Sequence, residues 1–155
     1  ELLEKYVSNN LEYDYGAMPY NLYSFRGIKD LFDKHAETIY GIELPLYSLN
    51  LKTAGRSDII LDWNGKKTVF DLKTSRKIKT KENIPHYFVQ ATCYALMMNE
   101  IYNEEITDIV IAMIIDHESP IIFNDKVENY VDLTNKIFKE RTHEIICNIN
   151  HINIG

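Results

Sequence analysis

The stretch "GRSDIILDWNGKKTVFDLKTSRK", residues 55–77, decides how the rest of the chain is read. Two runs rich in β-branched and aromatic residues, "RSDIILDW" and "KKTVFDLK", flank Asn64-Gly65, and Asn-Gly readily takes the two positive-φ positions of a type I′ turn. If that turn forms, Trp63 faces Lys66, and counting outward in register brings Asp58 opposite Asp71. Directly opposed side chains have Cβ atoms roughly 4.5–5.5 Å apart, so two carboxylates meet and repel. Residues two apart on a strand share a face, which sets Lys73 beside Asp71 and opposite Arg56. An anionic pair next to a cationic pair can be relieved by a shared proton, by splaying into solvent, or by a bound cation.

The third option would give the arrangement a use. A hard divalent ion such as Mg²⁺ takes one or two carboxylates and leaves positions for water and a substrate phosphate, where it polarises the phosphoryl group and acidifies water. Lys73 would hold or deprotonate the attacking water, and Arg56 or the basic loop would neutralise phosphate charge. These four residues fit metal-assisted phosphodiester hydrolysis. They also fit a surface hairpin carrying Asp and Lys for solubility, and the residues alone leave both readings open. A structural Ca²⁺ site fits less well, because Ca²⁺ takes six to eight oxygens and the hairpin has too few acids.

Upstream, "ELLEKYV" has helical spacing, as does "PYNLYSFRGIKDLFDKHAETI", whose apolar stripe is expected to run to a helix end at Gly41. "IELPLYSLNL" alternates as a strand, with Pro45 pointing to a sheet edge. Downstream of the hairpin, "IPHYFVQATCYALMMNEIYN" is apolar at helical spacing, and "TDIVIAMIIDH" is a nearly continuous β-branched run expected in a strand buried on both faces. "PIIFN" suits a short strand, and "DKVENYVDLTNKIFKERTHEII" an amphipathic closing helix. The order ααβββαβα, with the short strand as an optional fifth, predicts one α/β domain over residues 1–155, in which helices cover a central mixed sheet of four or five strands.

The chain has 155 residues, a net charge of −6 and a pI near 5.3, which argues against binding nucleic acid by general basicity. The charge is nevertheless uneven, since Lys73, Arg76, Lys77, Lys79 and Lys81 follow one another with no acid before Glu82. Two cysteines, Cys93 and Cys147, are too few for a disulfide framework or a Cys-rich zinc site, and predict a reducing, intracellular setting. The five histidines lack HxxxH spacing, and there is no GxSxG or Gly-rich phosphate loop. No apolar run reaches membrane-spanning length.

"GRSD", "DLKTS" and "QATCY", at Gly55 to Asp58, Asp71 to Ser75 and Gln90 to Tyr94, resemble in order and spacing the GxxD, (D/E)xK and QxxxY signatures of the RecB-type branch of the PD-(D/E)xK nuclease superfamily. The "DxKTS" form is similar to that of phage exonucleases and the mitochondrial genome maintenance exonuclease. The resemblance covers residues 43–98 and implies a restriction-endonuclease-like core, with Mg²⁺ or Mn²⁺ as cofactor. DNA, single-stranded or with a free end, is the implied partner, in replication or repair. It further implies Asp58, Asp71 and the Leu72 carbonyl as metal ligands, Lys73 as the residue that positions water, and Gln90 and Tyr94 beside the site. Thr74, Ser75, Arg76, Lys77 and Arg56 become candidate nucleic-acid contacts. Family members often carry HxxxExYL on the first helix. Aligned to "ELLEKYV", this pattern sets Glu4 on its Glu as a further ligand and its His one position before Glu1, an expectation of missing upstream residues. Glu37 and Glu43 are alternative acids. Without the His ligand, the chain could instead be a catalytically impaired module that binds nucleic acid or a partner protein.

Overall fold

The Asn64-Gly65 turn organises the sheet. Both residues have positive φ, 51° and 73°, and the strands they join, β2 (Thr53–Trp63) and β3 (Lys66–Ser75), pair antiparallel with Trp63 on Lys66 and Ile59 on Phe70. This is a computed structural model, which describes the backbone of residues 2–8 and 19–152 and the side chains within 2–8 and 23–143. Helices α1 (Leu2–Val7) and α2 (Pro19–His35) precede strand β1 (Ala36–Ser48). Helix α3 (Pro85–Tyr102), strands β4 (Asp108–Ile115) and β5 (Ile121–Lys126), and helix α4 (Val131–Ile152) follow the hairpin. No helix among the described residues is long and apolar enough to cross a membrane.

The sheet order is β1-β2-β3-β4-β5, with every neighbouring pair antiparallel except β3 and β4. That parallel pair requires a crossover, and α3 supplies it. Alternation along the strands divides the core in two. Ile59, Leu61, Trp63, Phe70, Val110 and Ala112 face the layer that contains Leu3, Ile28 and Phe32, whereas Ile60, Val69, Ile109, Ile111 and Met113 face Phe88, Tyr94 and Met98 of α3. β4 is apolar from Ile109 to Ile115 because both of its faces are covered, and Pro45 lies in edge strand β1, as the sequence predicts. The same parity turns Asp58, Asp71 and Lys73 toward α3.

Two expectations fail at the N-terminal end of the sheet. The second helix stops at His35, not near Gly41, and the segment from Ala36 is already β1, which reaches Gly41 through two register shifts. Ile39 satisfies a helical stripe and a strand equally, so periodicity could not place the boundary. A long-range contact places it. The backbone N–H of Asn64 donates to the His35 carbonyl at 2.9 Å, and His35 Nδ1 lies 2.8 Å from Asn64 Oδ1, which ties the helix end to the hairpin turn.

Gly65 has open space where a Cβ would stand, within a left-handed backbone. Gly65→Ala should therefore cost only the conformational penalty, about 1 kcal/mol. Urea denaturation should show a lower midpoint with an unchanged m-value.

Candidate active site

The hairpin ladder ends short of the Asp58–Asp71 and Arg56–Lys73 pairs that the sequence predicts. Ile59 on Phe70 is the last paired position, so Asp58 and Asp71 do not face each other in the ladder. Beyond it the two strands take different partners: β2 stays on β1, with Ser57 on Leu44 and Arg56 on Pro45, while β3 stays on β4. Leu72 N–H, which an unbroken ladder would direct to the β2 backbone, donates instead to Asp58 Oδ2 at 2.8 Å. Because the N–H and C=O of one strand residue project to the same side, the Leu72 carbonyl also faces the cleft opened by the departing strand.

Asp71 stands in that cleft and is only 3% exposed. Lys73 Nζ lies 2.7 Å from its Oδ2. At that distance the ammonium and the carboxylate form a charge-assisted pair, and this buried oxygen has no other partner. Burial raises the Asp71 carboxyl to about 6, Lys73 offsets part of that rise, and the charge of Asp58 adds to it. The two carboxylates thus feel each other despite the shifted register.

The third motif enters from α3. Lys73 Nζ donates to Gln90 Oε1 at 2.9 Å, and Gln90 Nε2 donates to the Tyr94 hydroxyl at 3.2 Å. Gln90 and Tyr94, four apart, share one helix face. The Tyr94 ring in turn lies on the backbone of Gly55: a Cβ there would come within 2.9 Å of Tyr94 Cε1. Gly55 thus gives room for the ring that ends the chain Asp71–Lys73–Gln90–Tyr94.

The remaining candidates are dispersed. Arg56 is not opposite Lys73; its guanidinium reaches toward Glu43 at 3.7 Å, because β2 follows β1 at this point. Thr74 is exposed and falls, by alternation, on the opposite face of the sheet from Asp71. The Ser75 hydroxyl donates to the Lys77 carbonyl at 2.7 Å and accepts from the Lys77 N–H at 3.3 Å, forming the turn by which the strand exits. Arg76 and Lys77 are exposed. Glu4 lies on α1, whose Leu3 packs on the other side of the sheet, and among the described residues no third Asp, Glu, His or Cys joins Asp58 and Asp71. Glu37 is exposed near the start of β1. Cys93 is buried, and burial pushes its thiol up to about 12.

Two neighbours lie outside the motifs. Lys73 Nζ sits 5.1 Å from the centre of the Tyr87 ring, and Lys79 Nζ sits 5.5 Å from it. Tyr87 precedes Gln90 by three positions, the spacing that places both on one helix face, although its apolar surroundings read equally well as core.

The donor set suits a hard divalent ion: two carboxylates and a strand carbonyl directed to one cleft, with a buried acidic oxygen whose partner is Lys73. No protein-family model matches the chain, and no curated protein matches it. Solved structures do. A protein from Eubacterium rectale described as a "putative exonuclease" superimposes with a TM-score of 0.59 at 13% identity, over 93% of this chain and 63% of that one. The chain thus spans less than two thirds of that protein's length. SSO0001 matches at 20% identity over 81% of this chain and 57% of its own, with a TM-score of 0.40. The first likeness shows a shared α/β fold.

The Asp71 carboxyl titrates higher in the folded chain than its ordinary 3.8. Its contribution to stability is therefore complete below about pH 4 and is lost as pH rises through about 6, to a cost of roughly 3 kcal/mol with the carboxylate ionised and no metal present. Asp71→Asn removes that titration. Relative to the parent, the metal-free variant should gain stability between pH 4 and pH 7, measured by thermal denaturation across pH; a constant difference would show that Asp71 is not strained by burial.

Proposed function

We propose that this chain is a Mg²⁺- or Mn²⁺-dependent deoxyribonuclease of the RecB-type PD-(D/E)xK branch, acting on single-stranded ends of DNA. The observation that carries this reading is the convergence on Lys73 of all three motifs: Asp71 at 2.7 Å, Gln90 at 2.9 Å, and through Gln90 the Tyr94 ring packed on Gly55. A solvated hairpin has no need of a lysine held by a buried acid and a helix glutamine. The fold shared with the Eubacterium rectale protein supports the same class of activity.

Asp58, Asp71 and the Leu72 carbonyl would hold the ion, which supplies Lewis-acid polarisation of the scissile phosphate and a more acidic water. Asp71 brings charge to the cleft, and it must be ionised to do so. Asp58 is oriented by the Leu72 N–H, so that one of its oxygens is committed and the other is available. Lys73 stands beside these acids and places its ammonium where a nucleophilic water or a phosphate oxygen would be held; Gln90 limits where that ammonium can swing, and Tyr94 limits Gln90. The acidic net charge is compatible with a DNA substrate, because the cations gather on the loop after β3.

The presence of only two acids at the site among the described residues favours a second reading, a nuclease-fold module that binds nucleic acid without cutting it. A labelled single-stranded oligonucleotide incubated with Mn²⁺ separates the two. Release of mononucleotides or short products is expected, with Asp58→Ala, Asp71→Ala and Lys73→Ala each reducing the rate by about 100-fold or more and each still folded by circular dichroism. Binding without products, from a chain extended at its N-terminus as well as from this one, would favour the module.

A further inference from the structure

The cations of the loop after β3 are not equivalent. Lys73 is paired with Asp71, and Lys81 is paired with Asp125 at 2.8 Å while donating to the Asn124 carbonyl at 2.9 Å. Asp125 is held at about 2, below the usual carboxylate range; its hydrogen bonds from Lys81, Asn129, the Lys126 N–H and Tyr130 outweigh the burial that would raise it. Lys81 is therefore part of the scaffold. Arg76 and Lys77 are exposed beyond the Ser75 turn. Lys79 differs from all of these. It is half-buried, no carboxylate among the described residues pairs with it, and its ammonium is held only by Tyr87, 5.5 Å from the ring centre and 3.4 Å from the hydroxyl.

Among the described residues the Lys79 charge therefore has an aromatic face and a hydroxyl as its partners and no anion to neutralise it. The same ring also carries Lys73 at 5.1 Å. Two ammonium groups are thus collected around one tyrosine at the edge of the acidic cleft, one neutralised by Asp71 and the other not. Building on the nuclease reading, we propose that Lys79 is the phosphate-binding residue of the loop, taking a strand phosphate adjacent to the scissile one, and that Tyr87 is a positioning residue that holds Lys79 beside Lys73. The ligand chemistry is the phosphodiester backbone of a single DNA strand, and the assignment moves that role from Arg76 and Lys77 to Lys79.

The test is binding of a fluorescent oligothymidine by anisotropy, with Ca²⁺ in place of Mg²⁺, across a salt series. Each phosphate contact on a single strand contributes about −0.7 to the slope of log K against log salt. Lys79→Gln should bind about 10-fold more weakly, as expected for one lost charge-assisted contact, and should flatten the slope by about 0.7. Lys77→Gln should do neither. Tyr87→Leu should reproduce the loss, and the double variant with Lys79→Gln should be no weaker than either single change, because the ring acts through the lysine. Tyr87→Phe keeps the ring and should bind nearly as the parent does, which guards against a Tyr87→Leu protein that fails to fold. Equal effects of Lys77→Gln and Lys79→Gln, an unchanged slope for Lys79→Gln, or no binding by the parent would overturn the assignment. Binding that responds as described, in a parent that releases no products with either Mg²⁺ or Mn²⁺, would sink the nuclease reading and leave Lys79 in its role; cutting by the parent with an unchanged Lys79→Gln slope would do the reverse.

Discussion

The site depends on one interaction, the close approach of the Lys73 ammonium to the buried Asp71 carboxylate. Burial and the charge of Asp58 raise the Asp71 carboxyl, to about 6 even with Lys73 beside it, and a neutral acid is a poor ligand for a cation. The lysine offsets part of that penalty and is in turn restrained by Gln90. Lys73 thereby acts as the counterion of a buried oxygen that has no other partner, which favours the charged form of Asp71. This is a strained arrangement whose disadvantage to folding is the expected companion of a site prepared for a cation.

The strands create the space in which this occurs. β2 and β3 are held together by a two-residue turn at one end and separate at the other, because β2 follows edge strand β1 while β3 follows β4. Where they part, backbone groups that would have paired are released: Leu72 N–H goes to Asp58, and its carbonyl is turned to the cleft. Helix α3, needed to connect the parallel strands, covers that cleft from one side and brings Gln90, Tyr94 and Tyr87 to it. The topology that closes the sheet also assembles the site.

Much of this was legible in the residues. Asn64-Gly65 gave the turn and its register as far as Ile59 and Phe70, the uninterrupted apolar run at 109–115 gave an interior strand, and Pro45 gave the edge. What eluded the reading was decided by contacts distant in sequence. The end of α2 is set by His35 meeting Asn64, which no local periodicity encodes. The register beyond Ile59 depends on β2 following β1 and not β3, so the expected pairs, Asp58 with Asp71 and Arg56 with Lys73, extend a pattern that stops before them. Gly55 illustrates the converse. Its place in a motif was visible, whereas the reason for it, a tyrosine ring on α3 distant in sequence, required the packed structure.

A crystal of the chain soaked in Mn²⁺ and measured at a wavelength that gives manganese anomalous scattering should show one strong anomalous peak within coordination distance of the Asp58 and Asp71 carboxylates and the Leu72 carbonyl, with Lys73 drawn back from Asp71 Oδ2 toward Gln90. An empty cleft at a pH well above 6, with the Lys73 contact to Asp71 intact, would contradict a metal site between these acids.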